Sequence, residues 1–192
     1  MYDLGLRPHW TYETLVSTYR GEVPHAAPLG IRIVGRDRFS LHVYEGSRTL
    51  KNLLASGDFT VGFPQDATHF QTVLLHPEQL AFVRGKHVHA PVLLGTAGTI
   101  EARVRESRRG EDETTFFEAE AISIAGNGEV RPINRADPLL LEAVILLTRA
   151  EILGPEEVSV RLMEAGRVIA KVAPGSAHAA AIRELIDHLK AR

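Results

Sequence analysis

The stretch Tyr44-Glu45-Gly46-Ser47-Arg48-Thr49-Leu50-Lys51-Asn52-Leu53-Leu54 decides how the rest of the chain is read. A strand ends here, the chain turns at Gly46, and a short helix opens. Ser47 is a favoured N-cap residue. Leu50, Leu53 and Leu54 fall at i, i+3 and i+4, which predicts one apolar face packed inward. The first turn joins free backbone N–H groups to the Ser47 and Thr49 hydroxyls and the Arg48 guanidinium. That set suits an anion, most simply a phosphate. A capped surface helix with a solvated arginine and lysine uses the same residues equally well, and on this stretch alone both readings stand.

Working outward toward the N-terminus, residues 39–44 alternate Leu41 and Val43 against His42 and Tyr44, as a strand does. Residues 10–20 carry Tyr12, Thr14, Val16, Thr18 and Tyr19 and read as a strand, broken at Gly21. Residues 23–34 form a second strand, followed by the turn Gly35-Arg36-Asp37-Arg38. Inside it lies His25-Ala26-Ala27-Pro28-Leu29-Gly30. Pro28 cannot donate to a ladder, so the strand is expected at an edge or bulged there. Small residues beside a proline and a glycine leave backbone open to a flat ligand; a simple edge-strand irregularity explains them too.

Working outward toward the C-terminus, the helix stops near Ser56-Gly57, with Gly57 suited to the C′ position. Residues 58–63 read as a fourth strand ended by Pro64-Gln65-Asp66. Residues 67–94 are mixed and resist assignment, with Pro77-Glu78-Gln79 a helix start or a turn. Residues 96–106 alternate as a half-exposed strand. Ser107-Arg108-Arg109-Gly110-Glu111-Asp112 then reads as a polar hairpin loop, residues 113–124 as the partner strand, and Gly126-Asn127-Gly128 as a turn. Six strands around one short helix predict a barrel or a strongly curled antiparallel sheet. Composition then shifts. Asp137-Pro138 looks like N-cap then N1, and residues 139–153 read as one nearly all-apolar helix, widely buried in the fold or at a subunit contact. A second helix begins at Gly154-Pro155-Glu156-Glu157 and runs to about Val172, before Pro174-Gly175. Ser176 caps a third. The expected organisation is mainly β with α: a barrel over residues 10–135 and C-terminal helices over 136–192, packed on the barrel or on a dimer partner.

Bulk properties set the outer bounds. A chain of 192 residues with 44% apolar and 24% charged residues can bury a real core. A net charge of −2 gives no reason to expect a nucleic-acid surface. The absence of cysteine excludes disulfides, thiolate metal sites and cysteine nucleophiles. The first residues show no basic region followed by an apolar run, and no apolar run is long enough to span a bilayer, so a cytoplasmic location is expected. Hydrolase elbows, His-Glu-x-x-His, phosphate-binding P-loops and Gly-x-Gly-x-x-Gly are all missing from the sequence.

Three other constellations carry candidate chemistry. His87-Val88-His89, if a strand, puts two imidazoles on one face, half of a metal site. No carboxylate at suitable spacing completes it, so solvated or hydrogen-bonded histidines are the main expectation and no metal is assigned. Asn134-Arg135 places an amide and a cation at a helix entrance, either as a loop that satisfies its own backbone or as a contact to a ligand or partner subunit. Glu142 and Arg149, charges in an apolar helix, are expected as a structural ion pair across a contact.

Taken in order, His25-Ala26-Ala27-Pro28-Leu29-Gly30 and then Tyr44-x-Gly-Ser47-Arg48-Thr49-x-x-Asn52-Leu53 resemble the FMN-binding split-barrel superfamily. More closely, with Asn134-Arg135 and a helix carrying Glu142 and ending at Thr148-Arg149, the chain resembles the domain of unknown function 447 (DUF447) family. The resemblance implies a six-stranded antiparallel split β-barrel plus a C-terminal helical segment, a homodimer, and FMN held between subunits. It further implies that Ser47, Arg48 and Thr49 hold the flavin phosphate, with Lys51 as a possible contributor and Asn52 bracing the turn. The backbone of His25, Ala26, Ala27, Pro28 and Leu29 would lie along the isoalloxazine edge, and Asn134 and Arg135 would approach the flavin or the dimer cleft. The function so implied is that of an FMN-dependent oxidoreductase of the flavin reductase type. The alternative is a non-catalytic protein binding FMN or another phosphorylated ligand. Substrate and electron donor are not readable from the sequence, and neither is whether the protein turns over at all. No nucleic-acid or membrane partner is expected.

Overall fold

The structure, a computed structural model, describes residues 1–110, 113–126 and 130–191. Its Cα atoms fall into two compact units. One comprises Met1–Pro8 and Tyr12–Ile133, the other His9–Thr11 and Asn134–Arg192.

The first unit is built on strands β1 (Thr11–Arg20), β2 (Val23–Ile33), β3 (Arg38–Tyr44), β4 (Asp58–Phe63), β7 (Gly98–Arg109) and β8 (Thr114–Gly126). Among the described residues these six close into a barrel in the order β1-β2-β3-β8-β7-β4. Closure gives each of these six strands a neighbour on both sides. The apolar partners of each alternating pattern turn into the barrel, where Phe39, Phe59, Phe63 and Phe117 are fully buried. Phe39 and Phe59 meet edge to face with centroids 5.9 Å apart, the arrangement their quadrupoles favour. In β4 all six residues are buried, because its outer face is also covered. A small hairpin, β5 (Phe82–Arg84) and β6 (Pro91–Leu93), lies over it, and the Thr60 hydroxyl donates to the Pro91 carbonyl at 2.6 Å. Two register shifts between β7 and β8, at Glu101/Ala102 and Val104/Glu106, bend the long hairpin as bulges do.

Several expectations are corrected here. Ser107, Arg108 and Arg109 belong to β7 and pair with Phe117, Phe116 and Thr115; they are not hairpin loop. Arg108 sits over the Phe116 ring, 4.5 Å from its centroid, which holds the polar end of the strand extended. Glu111 and Asp112 of that expected loop, and Asn127-Gly128 of the expected turn, lie outside the described residues. β2 is a barrel strand with neighbours on both sides, yet its register with β3 spans only Ile31–Ile33. Pro28 therefore falls outside the β2–β3 ladder, from which its missing N–H removes no bond.

The connection from β3 to β4 is α1 (Arg48–Ser56). The turn before it places Gly46 at φ 76°, a conformation glycine adopts without strain. Ser47 is extended and its hydroxyl accepts from the Leu50 N–H at 3.2 Å, a true N-cap; Gly57 closes the helix in the left-handed region. The inward face is Thr49, Leu50, Asn52 and Leu53. Leu54 points to solvent, 61% exposed, against expectation. The buried Asn52 lies on the flank opposite Leu54 and shifts the inward arc away from it, and its amide donates to the Thr18 hydroxyl at 2.9 Å. The residues that resisted assignment fold as α2 (Thr68–Leu75), a 3₁₀ turn (Pro77–Gln79) and the β5–β6 hairpin.

The second unit holds α3 (Ala136–Thr148), α4 (Ala150–Leu153), α5 (Pro155–Val172) and α6 (Ala177–Lys190). Its core is Val158, Leu162 and Ile169 of α5 against Ala143 and Leu146 of α3 and Ile182 of α6. Burying each of the valine, leucine and isoleucine side chains contributes roughly 1.5–3 kcal/mol before entropy is counted. The single apolar helix expected over 139–153 is broken at Arg149 (φ −106°, ψ 11°) into α3 and α4. Within the single chain Leu141 and Val144 are exposed, so the fold itself does not cover that side of the helix. Glu142 and Arg149 both lie at the surface. The Asp137-Pro138 start is two residues late. α3 begins at Ala136, whose N–H is taken by Asn134 Oδ1 at 2.8 Å, and Asp137 sits in its first turn. Ser176 caps α6 as expected, accepting from the Ala179 N–H.

Candidate functional site

The N-terminus of α1 opens onto a pocket of about 430 Å³ in the barrel unit, within the size range of cofactor sites. One wall is the β2 backbone from Pro24 to Pro28. One end is Ser47, Arg48 and Thr49. The remaining wall is apolar, built by Val73 and Leu74 of α2, then Pro77, Leu80 and Phe82. The polar end is electropositive for three reasons. The Arg48 side chain carries a full charge. The macrodipole of α1 adds a partial one. The Arg48 and Thr49 N–H groups, in the first turn, have no intrahelical acceptor.

His25 completes this end. Its Nε2 lies 3.3 Å from the Thr49 hydroxyl. Burial, and then the Arg48 guanidinium, lower its pKa below the ordinary 6.5, so the imidazole is neutral at pH 7. The unfolded chain thus binds a proton more readily than the folded one. Stability contributed here is present above pH 6.5 and is lost as pH falls from 6.5 through the lower folded value. A His25→Asn variant is expected to unfold in urea with less loss of stability between pH 7 and pH 5 than the parent chain. Equal losses would show that His25 does not titrate differently on folding.

The structure thus brings together His25, Ala26, Ala27 and Pro28 with Ser47, Arg48 and Thr49 on one pocket. Leu29 is not on its lining; its carbonyl accepts from the Thr14 hydroxyl at 2.7 Å. Lys51 is exposed on α1, and Asn52 is buried beneath it. Asn134 and Arg135 are residues of the helical unit. The Asn134 amide donates to the Thr11 and Val172 carbonyls at 2.7 and 2.9 Å, so with its bond to Ala136 it ties the helical unit's own backbone. The sequence reading missed Val73, Leu74, Pro77, Leu80 and Phe82, all within the stretch that resisted assignment.

His87, Val88 and His89 form a loop between β5 and β6, so their imidazoles do not share a strand face. The loop is pinned by two carboxylates. The His87 and Val88 N–H groups donate to Glu101 Oε2 at 2.7 and 3.2 Å, and the His89 N–H donates to Asp58 Oδ2 at 2.8 Å. The His89 ring approaches Glu22 Oε1 at 3.2 Å. Among the described residues no group of three or more metal-ligating side chains occurs. Burial pushes the Asp58 carboxyl up, but the Arg103 guanidinium at 2.7 Å and the His89 N–H outweigh it and hold the pKa below 3.8. Stability from Asp58 is therefore full above pH 3.8 and is lost as pH falls through the folded value. Asp58→Asn is expected to flatten the acid limb of a stability–pH curve below pH 4, measured by urea unfolding. An unchanged limb would remove Asp58 from the acid response.

The barrel defines the class of protein. The chain has the FMN-binding split-barrel fold, shared over 98% of its length and 98% of the other chain with the FMN-bound protein MM1853 of Methanosarcina mazei, at TM-score 0.56 and 23% identity. The NADH:FAD oxidoreductase SgcE6 of Streptomyces globisporus has the same fold at TM-score 0.56 and 18% identity, over 65% of this chain and 81% of that one. Residues 12–126 match the family described as protein of unknown function (DUF447), N-terminal domain, and the chain belongs to that family. An uncharacterized protein of Methanocaldococcus jannaschii, MJ1453, is 26% identical over 145 residues, 71% of this chain and 73% of that protein. Among the described residues no helix is long and apolar enough to cross a membrane.

Proposed function

We propose that the chain binds FMN in this pocket and serves as an FMN-dependent oxidoreductase. The observation that carries the reading is the junction of a capped, electropositive helix N-terminus with an apolar pocket walled by extended backbone. Ser47, Arg48, Thr49 and the first-turn N–H groups would bind the flavin phosphate. The β2 backbone from His25 to Pro28 would orient the ring and tune it by main-chain hydrogen bonds. Val73, Leu80 and Phe82 would exclude water from it. Bound FMN would supply the redox chemistry, so no side-chain nucleophile is needed. Asn52 would brace α1 through Thr18. The neighbours support the reading: MM1853 is FMN-bound and SgcE6 is a flavin oxidoreductase.

The test is flavin uptake. Purified protein mixed with FMN should turn yellow after desalting and quench the flavin's fluorescence; a colourless protein that leaves FMN fluorescence untouched would sink the proposal. Bleaching by NADH or NADPH then separates an oxidoreductase from a non-catalytic FMN carrier. We further propose a homodimer with the pocket at the subunit cleft. Sedimentation of the FMN-loaded protein at twice the monomer mass is the expected result, and a monomer would refute it.

A further inference from the structure

The proposed flavin pocket holds two basic side chains and no acid. His25 and Arg48 both line it, and no aspartate or glutamate is among the described residues of its wall, in a chain whose net charge is −2. His25 is half-buried, with its Nε2 3.3 Å from the Thr49 hydroxyl. The elements packed on β2 bring no further titratable group to this wall. α1 brings Arg48, while its Lys51 lies off the pocket, as does His69 of α2. β6 carries no titratable residue, and none from the neighbouring strands β1 and β3 lines the pocket. An imidazole that is partly desolvated beside a guanidinium, with no counter-ion, stays neutral because a second positive charge is repelled and poorly solvated. An anion bound at this end removes both obstacles, and a doubly charged one removes them more completely.

We propose that His25 makes this site selective for the dianion of a phosphomonoester by taking up a proton from solvent as the ester binds. Once protonated, Nε2 is a donor and no longer an acceptor. It then donates to the Thr49 oxygen, and the Thr49 hydroxyl hydrogen is free for a phosphate oxygen. The dianion thus gains a cation and a directed donor that the empty pocket does not display. The identity of the ester as FMN rests on the function proposed above; the proton linkage applies to any phosphomonoester held here.

The experiment is calorimetric titration of the full chain with FMN, riboflavin and phenyl phosphate at pH 7.5, in two buffers of different ionisation enthalpy, which counts the protons exchanged. FMN and phenyl phosphate are each expected to draw a fraction of a proton from the buffer, and riboflavin none. A phosphomonoester has its second pKa at about 6 and stays largely dianionic between pH 7 and pH 8.5. FMN is expected to bind at least about threefold more tightly at pH 7 than at pH 8.5, because an adjacent opposite charge shifts a titrating group by roughly one to three pKa units. His25→Asn keeps a neutral hydrogen-bonding group beside Thr49 and should bind both esters without proton uptake and with a flat pH profile. Uptake that is equal in parent and variant, or absent from both, would overturn the proposal. Uptake with phenyl phosphate but no binding of FMN would defeat the flavin reading alone, and FMN bound without uptake would defeat only this one. Failure of both esters to bind would overturn both.

Discussion

Replacing Arg48 with alanine is expected to weaken FMN binding by about tenfold to a hundredfold while leaving riboflavin binding unchanged. A hydrogen bond to a charged group contributes roughly 1.5–3 kcal/mol, and each ~1.4 kcal/mol is a factor of ten in Kd. Arg48 is exposed, so its share falls with added salt. The loss is partial because the Ser47 and Thr49 hydroxyls and the first-turn N–H groups remain. Arg48 is a cleaner target than Ser47, whose hydroxyl also caps α1 at Leu50; removing a cap costs about 1 kcal/mol of helix stability and would blur the readout. Riboflavin lacks the phosphate and serves as the internal control. Fluorescence titration of both flavins against parent and variant chains decides the matter. If Arg48→Ala weakens both ligands equally, or neither, the phosphate is not held at this helix.

Removing the Arg48 charge also tests the electrostatics of His25. The guanidinium is one of the two causes that keep this imidazole neutral. Bound phosphate would act in the opposite sense, because an anion beside the ring favours its protonated form. His25 and Arg48 therefore compete for the same positive role. The neutral histidine can accept from, or donate to, the Thr49 hydroxyl at 3.3 Å, which fixes that hydroxyl at the pocket's polar end without adding a second unpaired charge.

Local signals made most of the barrel readable. β3 announces itself through the alternation of Leu41 and Val43, and β7 and β8 through longer alternations bounded by polar residues. α1 carries both of its caps in adjacent sequence, Ser47 and Gly57. The polar half of the pocket was legible for the same reason, since cap, hydroxyls and guanidinium occupy three consecutive residues. Its apolar half was not. Val73, Leu74, Pro77, Leu80 and Phe82 sit on a short helix, a 3₁₀ turn and a three-residue strand. None of these is long enough to impose a period. The hairpin among them is held by contacts far away in sequence, Thr60 on Pro91 and Asp58 on His89. The orientation of Leu54 was misread because Asn52, a polar residue, lies in the buried arc, and its partner Thr18 comes from another strand. The break at Arg149 has no glycine or proline to mark it.

Phe59→Ala is expected to cost about 3–5 kcal/mol, the range for truncating a fully buried aromatic. Phe59 is completely buried and stacks edge-on against Phe39. It sits on β4, the strand between β1 and β7 in the closed order, paired to Ala102 on the β7 side. A void there weakens the strand that completes the barrel, and the surrounding pairs on both sides cannot collapse into it without breaking register. The two compact units make the measurement specific. The single tryptophan, Trp10, belongs to the helical unit and meets His178 edge to face at 5.9 Å. Its fluorescence reports that unit, whereas release of FMN would report the barrel. With two cores a single unfolding free energy is not assured, so both signals are followed in one urea titration. Phe59→Ala should bring the flavin-release midpoint down first and farthest. Leu162→Ala, which empties a fully buried site in the helical core, should move the Trp10 transition instead. A Phe59→Ala cost near that of an exposed change such as Leu54→Ala, within about 0.5 kcal/mol, would mean that the barrel does not depend on this aromatic pair.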